Sequence, residues 1–156
     1  MVEGFTHLNE DGDARMVDVG AKAVTLRTAI AEAVVTMAPR VKEALFAGAL
    51  PKGDALAVVR VAAIMGAKRT PDLVPLCHPI GLDAVDVAVE EIEAGARIEV
   101  TTRVAARTGV EMEAMTAAAV AAVALYDMIK GLDRGAEIAS VRLLEKSGGK
   151  SGDWRR

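Results

Sequence analysis

The alternation on either side of "EAGA" (Glu93–Ala96) most narrows what this chain can become. In "LDAVDVAVEEIEAGARIEVTTRVAA" (Leu82–Ala106) polar and apolar side chains alternate with period two before and after those four residues. Period two is the repeat of a half-buried strand. A connection that short returns the second strand antiparallel beside the first. The chain must therefore contain a β-hairpin.

The flanking segments supply the other elements. "TLRTAIAEAVVTM" (Thr25–Met37) carries helix-forming Ala and Glu, yet Leu26, Thr28, Ile30 and Glu32 alternate against Arg27, Ala29 and Ala31. With Pro39 soon opening a new element, a strand is expected. "PRVKEALFAG" reads as a helix with Pro39 near its start and Gly48 past its end. "KGDALAVVRVAAIMGAKRTPDL" reads as a second helix, with Asp54 as N-cap, Lys68 and Arg69 in the last turn and Pro71 as its stop. "TGVEMEAMTAAAVAAVALYDMIKG" is the clearest helix, with Thr108 and Glu111 at capping-box spacing and Gly131 at its stop. "EIASVRLLE" reads as a last strand before the glycine-rich "KSGGKSGDW". Interleaved helices and strands with hairpin signals make the class α+β.

Composition bounds the rest. The 156 residues fit one domain, 1–156, with a glycine-rich C-terminal tail from about residue 146. At 52% hydrophobic but only 3% aromatic, the core is built from Ala, Val, Leu, Ile and Met, and neighbouring subunits are expected to supply additional burial. A net charge of -3 gives no reason to expect a nucleic-acid surface. No apolar run is expected to span a membrane, the N-terminal stretch is too polar for a signal peptide, and one cysteine agrees with a reducing, cytoplasmic setting.

Chemistry-bearing residues are few. Cys77 and His78 lie between Pro75 and Pro79 in "DLVPLCHPIGL". Neighbours in extended backbone point to opposite faces, so the pair is badly placed as a thiol-imidazole dyad. A dyad would need His7, and no paired metal-ligand spacing exists. The expected arrangement has Cys77 inward and His78 facing a ligand on a stiff loop. Glu111 and Glu113 fall in the first turn of the long helix, where negative charge is favoured anyway. Asp127 and Lys130, spaced i, i+3 after an apolar run, are expected to be desolvated together and suited to acid-base work. Glu113 and Asp127 share one azimuth but stand roughly 21 Å apart along the axis, too far for one small substrate atom. Lys52 in "PKGD" precedes a helix N-terminus, a reasonable place for phosphate. "GGKS" lacks the earlier glycine of a P-loop, Leu144 standing there, and the tail reads as a frayed terminus. Residue reading alone ends at an oligomeric α+β protein with acid-base groups for an anionic small molecule.

Five segments taken together, "THLNEDGDARMVDVGAKAVTLRTA", "KGD", "AKRTPDLVPLCHPI", "TGVEMEAMTAAAVAAVALYDMIK" and "VRLLEKSGGKSG", closely resemble the cyclic pyranopterin monophosphate synthases, the molybdenum cofactor biosynthesis protein C family. The resemblance implies a ferredoxin-like antiparallel sheet with helices on one face. It further implies a hexamer built as a trimer of dimers, with active sites between subunits. The implied reaction converts 3′,8-cyclo-7,8-dihydroguanosine 5′-triphosphate into cyclic pyranopterin monophosphate and pyrophosphate. By motif match Asp127, Lys130 and Lys52 take catalytic places and His78 joins them. Leu76, Cys77, His78, Met112 and Glu113 fall on substrate-binding segments, with Glu111, Arg27, Lys68 and Lys146 as further substrate contacts. The chemistry implies no cofactor, and Mg²⁺ is a natural companion of the triphosphate. The rival reading is a ferredoxin-like module that senses a nucleotide without transforming it.

Overall fold

The computed structural model describes residues 11–156; His7 lies outside the described residues. The elements run β1 (Thr25–Thr36), α1 (Pro39–Phe46), α2 (Ala55–Lys68), α3 (Thr70–Leu73), β2 (Ala84–Ile92), β3 (Gly95–Ala106), α4 (Glu111–Ile129), β4 (Glu137–Ser147) and β5 (Trp154–Arg155). The strands form one antiparallel sheet in the order β2-β3-β1-β4-β5. Without the short β5, that order is the ferredoxin-like β-α-β-β-α-β arrangement expected above.

Period two is visible in the burial. Ala29, Ala31, Ala33 and Val35 of β1, with Ile98 and Val100 of β3, are fully buried beneath the helices. The opposite face carries the charged residues. There Glu32 lies between Arg97 and Arg142, with Nε–Oε distances of 2.7 Å to each, and is only 4% exposed. Register explains the position: Glu32 stands opposite Glu99 on β3 and Arg142 on β4, and Arg97 also binds Glu90 and Glu99. Gly95 starts β3 because nothing larger fits. At φ 156° it lies so close to β1 that an added Cβ would meet the Val35 carbonyl oxygen at 2.1 Å.

Small residues bring α2 and α4 together. Ala114, Ala117, Ala118, Ala121 and Ala122 of α4 are fully buried. Gly66 of α2 packs so near α4 that a Cβ there would stand 2.9 Å from the Val120 Cβ. Each buried methyl contributes only about 0.8 kcal/mol, so this core depends on close approach rather than large side chains. By length and composition α4 could cross a membrane, against the sequence expectation, but half of that stretch is buried inside the fold as a core helix.

Three local readings need correction. The Asp54 carboxylate does cap α2, accepting the Ala57 N–H at 3.0 Å, but Pro71 sits in the first turn of α3 rather than simply ending α2. Proline suits that place because a first-turn N–H has no helical partner. At α4 the N-cap is Val110 with no side-chain cap, so Thr108 and Glu111 form no capping box; Glu111 turns to Lys146 instead. The tail is not frayed. Gly148, Gly149 and Gly152 take positive φ, which turns the chain back so that β5 pairs with β4 through Lys146 and Trp154.

Candidate active site

Two groups of functional side chains form, one at each end of α4. The N-terminal group surrounds a cavity of 410 Å³. Thr102 of β3 fixes this end of the helix by donating its hydroxyl to the Val110 carbonyl at 3.1 Å. Glu111, Met112 and Glu113 then face Leu76, Cys77 and His78 from the loop after α3. All six were expected as substrate contacts, and the fold brings them to one place. Cys77 and His78 both line it, so the expected split between inward thiol and outward imidazole does not hold. The Cys77 N–H donates to the Val74 carbonyl at 3.1 Å, a turn that breaks strand alternation.

His78 Nε2 lies 2.7 Å from the Val17 carbonyl oxygen. A carbonyl can only accept, so Nε2 carries the proton and Nδ1 is the other ring nitrogen. Glu113 is 3% exposed, and burial first, with the negative charge of Glu111 adding to it, pushes its carboxyl up to about 7. Its own backbone N–H pulls the other way without cancelling the rise. Burial and then Glu113 also raise the Cys77 thiol, which keeps it a thiol rather than a thiolate. This disfavours Cys77 as a nucleophile.

A second cavity of 540 Å³ adjoins the first, the two sharing Lys22, Thr108 and Gly109. Lys22, Arg27, Arg107 and Lys150 line it and no carboxylate does. Arg27 is held by the Ala106 and Arg107 carbonyl oxygens. Lys146 stands beside the junction, 3.6 Å from Glu111 and 2.6 Å from the Ser151 hydroxyl. Lys68 is exposed at the end of α2 and lines neither cavity. Sequence reading did not single out Lys22 or Arg107. Lys22 falls within the resembling segment 6–29, but nothing local marks it as a ligand contact, and Arg107 lies just outside the α4 segment. Only the return of the tail makes them neighbours of Lys150.

At the other end of α4, Asp127 accepts from two ammonium groups. Lys130 Nζ lies 2.6 Å from Oδ1 and Lys52 Nζ lies 2.9 Å from Oδ2. The hydrogen bond from Lys130 and then that from Lys52 lower the Asp127 carboxyl to about 2. Asp127 in turn raises Lys130. Three of the four expected catalytic residues are thus brought together, while the fourth, His78, lies in the group at the N-terminal end of α4. Nor are Asp127 and Lys130 desolvated as a pair, being 54% and 51% exposed. The last turn of α4 is itself packed in the core through Leu125, Met128 and Ile129, and Asp127 and Lys130 lie on its solvent side. Among the described residues no group of three or more His, Cys, Asp or Glu is placed to hold a metal ion.

Residues 16–149 match the MoaC family. The chain belongs to that family. It is 55% identical over 152 residues to the cyclic pyranopterin monophosphate synthase of Streptomyces coelicolor, covering 97% of this chain and 89% of that one. It is also 54% identical to the protein of that name from Corynebacterium glutamicum strain R, and 55% identical to that of Roseiflexus castenholzii, covering 96% of each chain in both cases. MoaC membership places the gathered residues in an enzyme rather than in a sensor.

Proposed function

We propose that this protein is an enzyme of molybdenum cofactor biosynthesis that converts 3′,8-cyclo-7,8-dihydroguanosine 5′-triphosphate into cyclic pyranopterin monophosphate, releasing pyrophosphate. The observation that carries the reading is the pair of contiguous cavities in a MoaC chain: one rich in hydrogen-bonding groups around Glu113 and His78, the other lined by four cations. A purine-derived ring suits the first and a polyphosphate the second. Leu76, Cys77, His78, Met112 and Glu113 contact the ring, with Glu111 beside them; Arg27 and Lys146 meet phosphate. Lys68, lying outside both cavities, is a substrate contact only if a second copy brings it near.

Forming the cyclic phosphate requires a substrate hydroxyl to attack the innermost phosphorus as its bond to pyrophosphate breaks. The hydroxyl proton leaves to a base, and negative charge grows on the departing group, where lysine and arginine stabilise it. Lys52 and Lys130 serve this charge and carry protons. Asp127, a carboxylate at neutral pH, orients both ammonium groups. Because this trio lies roughly 21 Å from Glu113 along α4, one substrate spans both ends only if a neighbouring copy supplies one of them. A hexamer built as a trimer of dimers would provide such shared sites. Exposed Val58, Val61 and Met65 on α2 and Val123 on α4 are apolar surface available for subunit contact. A reducing cytoplasm suits the free Cys77.

The test is incubation with the cyclised GTP derivative, following product and pyrophosphate by mass spectrometry, with Lys130→Ala alongside. Product from the unaltered protein and none from the folded variant is expected. Binding without product would establish the sensor instead.

A further inference from the structure

Three carboxylates stand among the expected site residues, and their surroundings differ. Glu111 is paired with Lys146. Asp127 is clamped by two ammonium groups in a solvent-exposed position. Glu113 has no ion pair among the described residues, is almost wholly buried, and lines the cavity that His78 also lines. A carboxylate fixed between two cations gains nothing by taking a proton. A buried carboxyl without a cation gains by keeping one.

We propose that Glu113, rather than Asp127, is the carboxyl group that exchanges a proton with the substrate ring. The proposal rests on the functional reading above and gives Glu113 a catalytic role beyond contact. The titratable groups around it are Glu111 on its own helix, Lys22 from the segment before β1, and Cys77 and His78 from the facing loop. Lys22 is not within ion-pair distance, and the Cys77 thiol is neutral. The His78 Nε2 proton is committed to the Val17 carbonyl. The elevated carboxyl supports the same choice, because a group near 7 is populated in both forms at working pH.

In the forward step the carboxyl O–H bond breaks and the proton adds to a ring-nitrogen lone pair. A new N–H bond, a positive ring and a Glu113 carboxylate result. In the return step an N–H proton passes back to the carboxylate while its bonding pair stays on nitrogen. Over the cycle Glu113 ends neutral, and no proton is gained or lost by the protein.

Glu113→Gln separates proton transfer from contact, since an amide preserves a neutral donor and acceptor but cannot exchange the proton. We expect kcat to fall about 100-fold or more, the scale of a lost general acid-base group. KM should stay within about threefold, and the wild-type limb of the kcat/KM pH profile near neutrality should vanish. In ligand-free protein carrying ¹³C-carboxyl glutamate, one resonance should titrate near pH 7 and be missing from the variant. A variant that keeps kcat and raises KM, or a Glu113 resonance titrating in the ordinary carboxylate range, overturns the proposal. Absence of product from the wild type overturns the functional reading and the proposal together. Normal wild-type turnover with unchanged variant kcat overturns the proposal alone.

Discussion

Replacing Gly66 with alanine sets two effects of similar size against each other. In the last turn of α2, alanine is the better helix former by at most the about 0.8–1 kcal/mol that holds in a helix interior. Against this, the new methyl would stand 2.9 Å from the Val120 Cβ, 3.1 Å from its Cγ2 and 3.3 Å from the Ala117 Cα. None of these is the end of a flexible side chain. Relief therefore requires α2 and α4 to separate by several tenths of an ångström along a seam of buried alanines. Overpacking of that kind costs about 1–3 kcal/mol. The clash wins, and Gly66→Ala should lose about 1 kcal/mol net, shifting Tm down by about 2–4 °C for a chain of this length. Urea unfolding at fixed protein concentration, with the denaturant slope unchanged, measures the difference. A variant more stable than the parent by about 1 kcal/mol would refute the argument, showing that helix propensity prevails and the seam has room.

Two charged groups predict opposite responses to pH. The Glu113 carboxyl lies near 7 in the folded chain against 4.5 when unperturbed, so the folded state holds the proton more tightly. That contribution is fully present below 4.5 and is lost as pH rises through about 7, a change of at most about 3 kcal/mol given the cavity's opening to solvent. Glu113→Gln should remove this slope from urea midpoints taken between pH 4.5 and 8; parallel curves for both proteins would contradict it. For Glu32, burial pushes the carboxyl up, but the bonds from Arg142 and Arg97 prevail and lower it. Its stabilisation is therefore present above 4.5 and lost as pH falls through the lower folded value. Glu32→Gln should cost about 1–2 kcal/mol at pH 7, less than a fully buried pair, because both arginines keep solvent and Arg97 keeps Glu90 and Glu99. The gap should narrow in acid, and a gap that widens there would refute the reasoning.

The elements of this fold are written locally. Alternation around "EAGA", and in Thr25–Thr36 despite its alanines, declares the hairpin and the central strand because period two survives whatever the residue types. The Asp54 cap and the Pro39 start are equally local. What could not be read depends on distant partners. Thr108 and Glu111 have capping spacing, but Lys146 on another strand competes for the carboxylate. Three tail glycines look like fraying until β4 offers an edge to pair with. Cys77 and His78 should diverge in a strand, and a single turn bond to Val74 turns both toward one cavity. Glu113 and the five expected contacts around it came from motif resemblance, whereas Lys22 joins both cavities, and Arg107 the second, only through topology. Lys52 and Asp127, distant in sequence, meet because the turn before α2 lies against the last turn of α4.

The central claim is that the groups at the two ends of α4 serve one reaction through two copies of the chain. His78→Ala disables one end and Lys52→Ala the other, and each variant alone should be inactive. Dissociated, mixed in equal amounts and reassembled, they should regain about a quarter of wild-type turnover, because one site in four would combine two intact halves. Recovery near that fraction is the predicted result. A reassembled mixture as inactive as its components would contradict the shared site.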